Sequence, residues 1–162
     1  MKNECINRLK NKNLKVLKDL LENDFTELKV GFDHKAYKAA IILAGSILEA
    51  FVIDWLSELD KAKYFQDVFP ERDDADQPII RDGQFKESDL NYKLQALLAR
   101  QARLGNTWYS IYLDADEIRK KRNNVHAKLS MRDSSYNSQS TCQDIMQRLE
   151  RVIKSRNNAL LP

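Results

Sequence analysis

Ala39-Ala40-Ile41-Ile42-Leu43-Ala44-Gly45-Ser46-Ile47-Leu48-Glu49-Ala50-Phe51-Val52-Ile53-Asp54-Trp55-Leu56 is the stretch on which the fold turns. At 100° per residue its apolar side chains leave little room for a polar face, so it reads as a central helix covered by others. Ser46, Glu49 and Asp54 interrupt it, which suits a buried helix better than a membrane span. The helix body is expected over Lys35 to about Leu59, with Asp33 as its cap. Gly45 lies mid-helix in a run of small residues. Glycine there costs about 1 kcal/mol relative to alanine, and close approach by another helix is the expected compensation. Glu49 is a carboxylate on an apolar surface and needs a cation; Arg119 and Arg122 are the natural candidates. A purely structural ion pair orienting two helices would satisfy the same need.

On the N-terminal side, Ile6, Leu9, Leu14, Leu17, Leu20 and Leu21 recur at helical spacing, which predicts an amphipathic helix from Asn3 to roughly Glu22. Its lysines form a solvated face. Asn23-Asp24 is the expected break or kink, with Phe25, Leu28 and Phe32 continuing a helical turn toward Gly31. On the C-terminal side, residues 66–87 read as a long irregular loop punctuated by Pro70, Pro78 and Gly83. Its acidic cluster around Asp73, Asp74 and Asp76 lacks the glycine of a calcium loop and reads as solvated. Ser88 caps a leucine-rich helix that Gly105 ends. Trp108, Tyr109 and Tyr112 then supply core or interface aromatics. Asp114 caps or continues into the next helix. Residues 132–140 form a surface loop, and Ser138 or Ser140 begins a last helix with Ile145, Leu149, Val152 and Ile153 as its stripe.

The stretch Ile118 to Lys128 carries the chemistry. On a helix, Arg119, Arg122 and His126 fall within a sector of roughly 60°, with Asn123 about 40° to the other side of Arg119. No acidic residue falls between Arg119 and Lys128. Two guanidiniums, an amide and an imidazole on one face suit a phosphate: arginine offers fixed bidentate donors, and histidine exchanges a proton near neutral pH. The plainer reading is a helix surface on which Asp116 pairs with Arg119 and Lys120 at three and four residues' distance.

Length and composition bound the rest. At 162 residues the chain is one domain with a real core, residues 1–162 throughout. Four glycines and three prolines disfavour a turn-rich β fold, so the expected class is all-α, an up-and-down bundle of four to five helices. A net charge of +3 is too small to argue for nucleic acid by itself; the placement of the charge decides. Cys5 and Cys142 form neither a metal-ligand spacing nor a disulfide framework. A reduced, cytoplasmic chain with no metal or other cofactor and no membrane association is therefore expected.

Arg122-Asn123-Asn124-Val125-His126, with Arg119 three residues earlier, resembles the signature of the HEPN superfamily (higher eukaryote and prokaryote nucleotide-binding domains). That signature sets four to six residues between an arginine and a histidine. Arg119 and His126 have six between them and fit; Arg122 and His126 have three and depart from the strict form. Ala127 stands where short bacterial members often carry proline. Ala44-Gly45-Ser46-Ile47-Leu48-Glu49 is similar to the Ala-Gly-x-x-Leu-Glu helix upstream in those proteins. The resemblance loosely covers Ala36 to His126. It implies a HEPN-like helical bundle, commonly a homodimer. It also implies a metal-independent endoribonuclease, often a toxin with an antitoxin partner or a phage-defence effector acting on RNA.

In that reading His126 is the general acid or base, Arg119 and Arg122 stabilise phosphoryl charge, Asn123 positions the phosphate or the histidine, and Glu49 supports them. Acid–base cleavage is easiest with two proton-transfer groups. Besides His126 the chain has only His34, at the start of another helix, so two copies of His126 across a symmetric dimer are the expected pair. The expected dimer faces the Asp114–Lys128 helices toward each other and uses Trp108, Tyr109 or Tyr112 as apolar contacts. The alternative is a non-catalytic helical dimer that uses the same face to bind a nucleotide, RNA or protein.

Overall fold

A computed structural model describes residues 1–9, 15–56, 80–81, 84–85, 109–124 and 138–156. Within them lie five helices: α1 (Lys2–Asn7), α2 (Lys15–Asp33), α3 (Tyr37–Leu56), α4 (Tyr109–Asn123) and α5 (Gln139–Ser155). The protein is all-α in class. One short ladder interrupts the region read as irregular: β1 (Ile80–Arg81) pairs antiparallel with β2 (Gln84–Phe85), in the register Ile80 to Phe85 and Arg81 to Gln84. The leucine-rich helix expected after Ser88, Trp108, and most of the expected loops at 66–87 and 132–140 lie outside the described residues.

α3 is central, as its composition requires. It packs on α2, α4 and α5, while α1 closes over α2 and α5. Ala44, Ile47, Leu48, Phe51, Val52 and Trp55 of α3 are buried against Leu21, Phe25 and Leu28 of α2, Ala115 and Ile118 of α4, and Ile145, Leu149, Val152 and Ile153 of α5. Phe51 and Trp55 meet edge to face at 5.9 Å between ring centroids, a favoured aromatic geometry. A smaller cluster of Ala40, Ile41 and Cys142, flanked by Phe32, Tyr37 and Met146, extends this core.

Several local expectations change. The first helix does not run from Asn3 to Glu22: α1 ends at Asn7, and Arg8 and Leu9 leave the helix. Asn23 and Asp24 do not break α2. Their modest helix propensity is outweighed by burial of Leu21, Phe25 and Leu28 on the same helix. Asp33 does not cap α3; it is the last residue of α2, and its carboxylate accepts from Lys29 Nζ at 2.6 Å.

The α2–α3 turn is closed instead by backbone. Ala36 N–H donates to Gly31 O at 2.7 Å and Lys35 N–H to Phe32 O at 3.1 Å, the paired bonds of a Schellman motif. Lys35 holds the left-handed position with φ 60°, where glycine is usual. By contrast, α5 starts where expected: the Ser138 hydroxyl accepts from Thr141 N–H at 3.2 Å, a side-chain N-cap.

Candidate functional site

α4 brings Arg122 to α3 through one stripe. Ala115 and Ile118 are fully buried, and Arg122 follows them at helical spacing, one turn beyond Ile118. It arrives over Gly45. A Cβ built on Gly45 would lie 2.4 Å from Arg122 Cδ, 2.8 Å from Cγ and 2.9 Å from Cβ, all well inside van der Waals contact. The close approach expected at this glycine is thus made by the stem of an arginine. Glu49, one turn along the same face of α3, receives that arginine's head: Arg122 Nη1 donates to Glu49 Oε2 at 2.8 Å. Of the two candidate cations for Glu49, Arg122 is the one that pairs with it directly.

Arg119 is differently engaged. Its Nε and Nη2 both point at Asp116 Oδ1, at 2.8 and 2.7 Å, and Lys120 Nζ lies 2.8 Å from Asp116 Oδ2. Burial opposes ionisation of Asp116, but the hydrogen bonds from Lys120 and Arg119 outweigh it and hold the carboxyl below its usual value. The plainer expectation for this side of α4 is therefore met in full.

The two arginines differ in what they leave open. Arg119 has committed its Nε–Nη2 edge, the edge that binds an oxyanion bidentately. Arg122 has committed Nη1, and among the described residues it makes no other hydrogen bond. Its side chain is 34% exposed. Asn123 ends α4 and is exposed. Asn124 N–H still bonds back to Lys120 O and Lys121 O, at 3.0 and 3.2 Å. His126, with the rest of the stretch to Lys128, lies outside the described residues, so the structure joins Arg122 to Glu49 and leaves the histidine's place unstated.

Two further ion clusters were not legible as such. Asp114 neither caps α4 nor faces solvent. It is buried inside the helix, and it accepts from Arg148 Nη1 at 2.8 Å, Arg151 Nε at 2.7 Å and Arg151 Nη2 at 2.9 Å. This ties α4 to α5. Asp54 on α3 accepts from Arg156 Nη1 at 2.7 Å, both side chains being almost wholly buried. The only sequence signals were acidic residues on otherwise apolar helices and arginines flanking an apolar stripe. Such signals mark the need for a partner without identifying it.

Among the described residues, no three His, Cys, Asp or Glu side chains gather to hold a metal ion. No described helix is long and apolar enough to cross a membrane. Both cysteines are free and buried. Comparison with protein families, with curated proteins and with solved structures finds no match.

Proposed function

We propose that the chain is a metal-independent endoribonuclease of HEPN type, with Arg122 as the cation that contacts the scissile phosphate and His126 as the proton-transfer group. The observation that carries this reading is the asymmetry between the two arginines. Arg122 is anchored through Nη1 on Glu49 and keeps the Nε–Nη2 edge for an incoming oxyanion, whereas Arg119 has spent that edge on Asp116. An arginine held at one nitrogen is pre-oriented for two-point binding at the other edge.

In this reading the ribose 2′-hydroxyl attacks the adjacent phosphorus and gives its proton to His126. The P–O5′ bond breaks, and a second His126, from the partner of a homodimer, protonates the departing 5′-oxygen. The products are a 2′,3′-cyclic phosphate and a 5′-hydroxyl. Asn123, beside Arg122 at the end of α4, positions the phosphate. Arg119 contributes supporting charge. A toxin or phage-defence effector working in the cytoplasm, with an antitoxin protein to restrain it, belongs to the same proposal.

A second reading has its own support. The Asp116 cluster neutralises Arg119 and Lys120, and Glu49 offsets Arg122, which suits a dimer that binds RNA, a nucleotide or a protein without turnover. Cleavage assays on three proteins separate the two. Under the nuclease reading, Arg122→Lys loses about 10²-fold in rate, since an ammonium cannot make the planar contact, while Arg119→Ala, which removes only supporting charge, loses much less. Loss confined to Arg119→Ala would move the site to the six-residue spacing. RNA binding without cleavage by the wild type would put the second reading in its place.

A further inference from the structure

We infer that Gly45 and Glu49 act together as positioning residues that set the direction of the Arg122 guanidinium. The consequence for catalysis rests on the reading of Arg122 as the phosphate-contacting group; the positioning itself does not.

The argument starts from what a helix permits. An arginine stem has four rotatable bonds, and left to itself it spreads over many rotamers. Here the stem lies along the one place on α3 where no side chain stands. The gap is made by an absent Cβ, and it is filled by Arg122 Cβ, Cγ and Cδ. Of these, Cβ is set by the α4 backbone. No rotamer change moves it away, so a methyl group on Gly45 would displace α4 as well as the side chain. Beyond the gap the guanidinium meets Glu49 Oε2 at 2.8 Å. Stem and head are thus fixed at two points one turn apart on the same helix, which leaves one direction for the Nε–Nη2 edge. The cost of glycine in mid-helix is offset by the order imposed on one arginine.

The test is a double-mutant cycle read first by thermal unfolding. Gly45→Ala should lower the melting temperature in the wild type, because the methyl group collides with the Arg122 stem. In an Arg122→Ala background the Cγ and Cδ contacts are gone and only the 2.9 Å contact to Cβ remains, so the same substitution should lower it by much less. An equal effect in both backgrounds would overturn the inference.

A second readout follows the guanidinium itself. The Arg122 Nε–Hε signal in nitrogen-15 spectra should be resolved in the wild type. It should shift or broaden in both Gly45→Ala and Glu49→Gln, with backbone signals remote from α4 unchanged. A signal indifferent to both substitutions would also overturn it. In the cleavage assay, kcat of Gly45→Ala should fall about a hundredfold, as for a reacting group misplaced by an ångström, with KM changing less. Unchanged kcat would refute the catalytic consequence of the positioning. A wild type that cleaves no RNA would refute the nuclease reading alone, since the unfolding cycle and the spectra still decide the role of Gly45.

Discussion

Asp54→Ala should be among the most damaging single substitutions in the protein. Its carboxylate receives Arg156 Nη1 at 2.7 Å, and the side chains are 2% exposed for Arg156 and 0% for Asp54. Arg156 also lies over the rings of Phe51 and Trp55, at 5.3 and 5.5 Å from their centroids. Its backbone carbonyl accepts from the Arg8 guanidinium, which ties the start of the chain to the end of α5. Removing the carboxylate leaves a guanidinium in the core with its principal counter-charge gone. Breaking one partner of such a buried pair costs about 3–5 kcal/mol, a large share of the 5–15 kcal/mol typical of a whole domain. For a chain of this size that corresponds to a melting temperature lower by about 10 °C.

Urea unfolding should show the midpoint falling with little change in slope. The double replacement Asp54→Leu with Arg156→Met should recover much of the loss, because well-packed apolar groups often replace a buried ion pair without penalty. A cost below about 1 kcal/mol for Asp54→Ala, or a double variant no better than the single, would refute the view that this pair closes the core.

Phe51→Ala should cost about 3–5 kcal/mol by urea unfolding, since the ring is fully buried in the main core cluster. Lys35→Gly should stabilise by about 1 kcal/mol, because it relieves the left-handed backbone of the α2–α3 turn. Asp116, whose carboxyl is held below its usual value, should contribute stability that is fully present above the unfolded value of about 3.9. That contribution should be lost as pH falls through the lower folded value, and the acid limb of unfolding should lose this component in Asp116→Asn. Burial pushes the Cys5 thiol up to about 12 and the Cys142 thiol to about 11. Both should therefore resist a thiol reagent at neutral pH until the protein is unfolded.

The parts of the fold that were legible are those written in local periodicity. α3 could be read because apolar residues surround it, and the last helix because a serine cap precedes a clear stripe. Gly45 and Glu49 were legible as needs, for a close neighbour and for a cation, and α4 meets both with a single residue. What was not legible depends on the tertiary setting. Asn23 and Asp24 look like a break until the packing of α2 outweighs their propensity. The α2–α3 turn puts a lysine where glycine would have announced it. Asp114 finds Arg148 and Arg151 across more than thirty positions of chain, and Asp54 finds Arg156 across 102. No local pattern encodes such pairings. The arginine–histidine motif was visible as spacing, and spacing favours Arg119, with six residues before His126, over Arg122, with three. Their carboxylate partners, visible only in the fold, point the other way.

Whether Arg122 and His126 cleave RNA by proton transfer, as proposed, is decided by end-group analysis of RNA incubated with wild type and with His126→Ala in excess chelator. The nuclease reading predicts that wild type cleaves under these conditions and leaves 2′,3′-cyclic phosphate and 5′-hydroxyl ends. It predicts that folded His126→Ala is slower by about 10²–10⁴-fold. Cleavage that requires Mg²⁺, or that proceeds unchanged in His126→Ala, would contradict it.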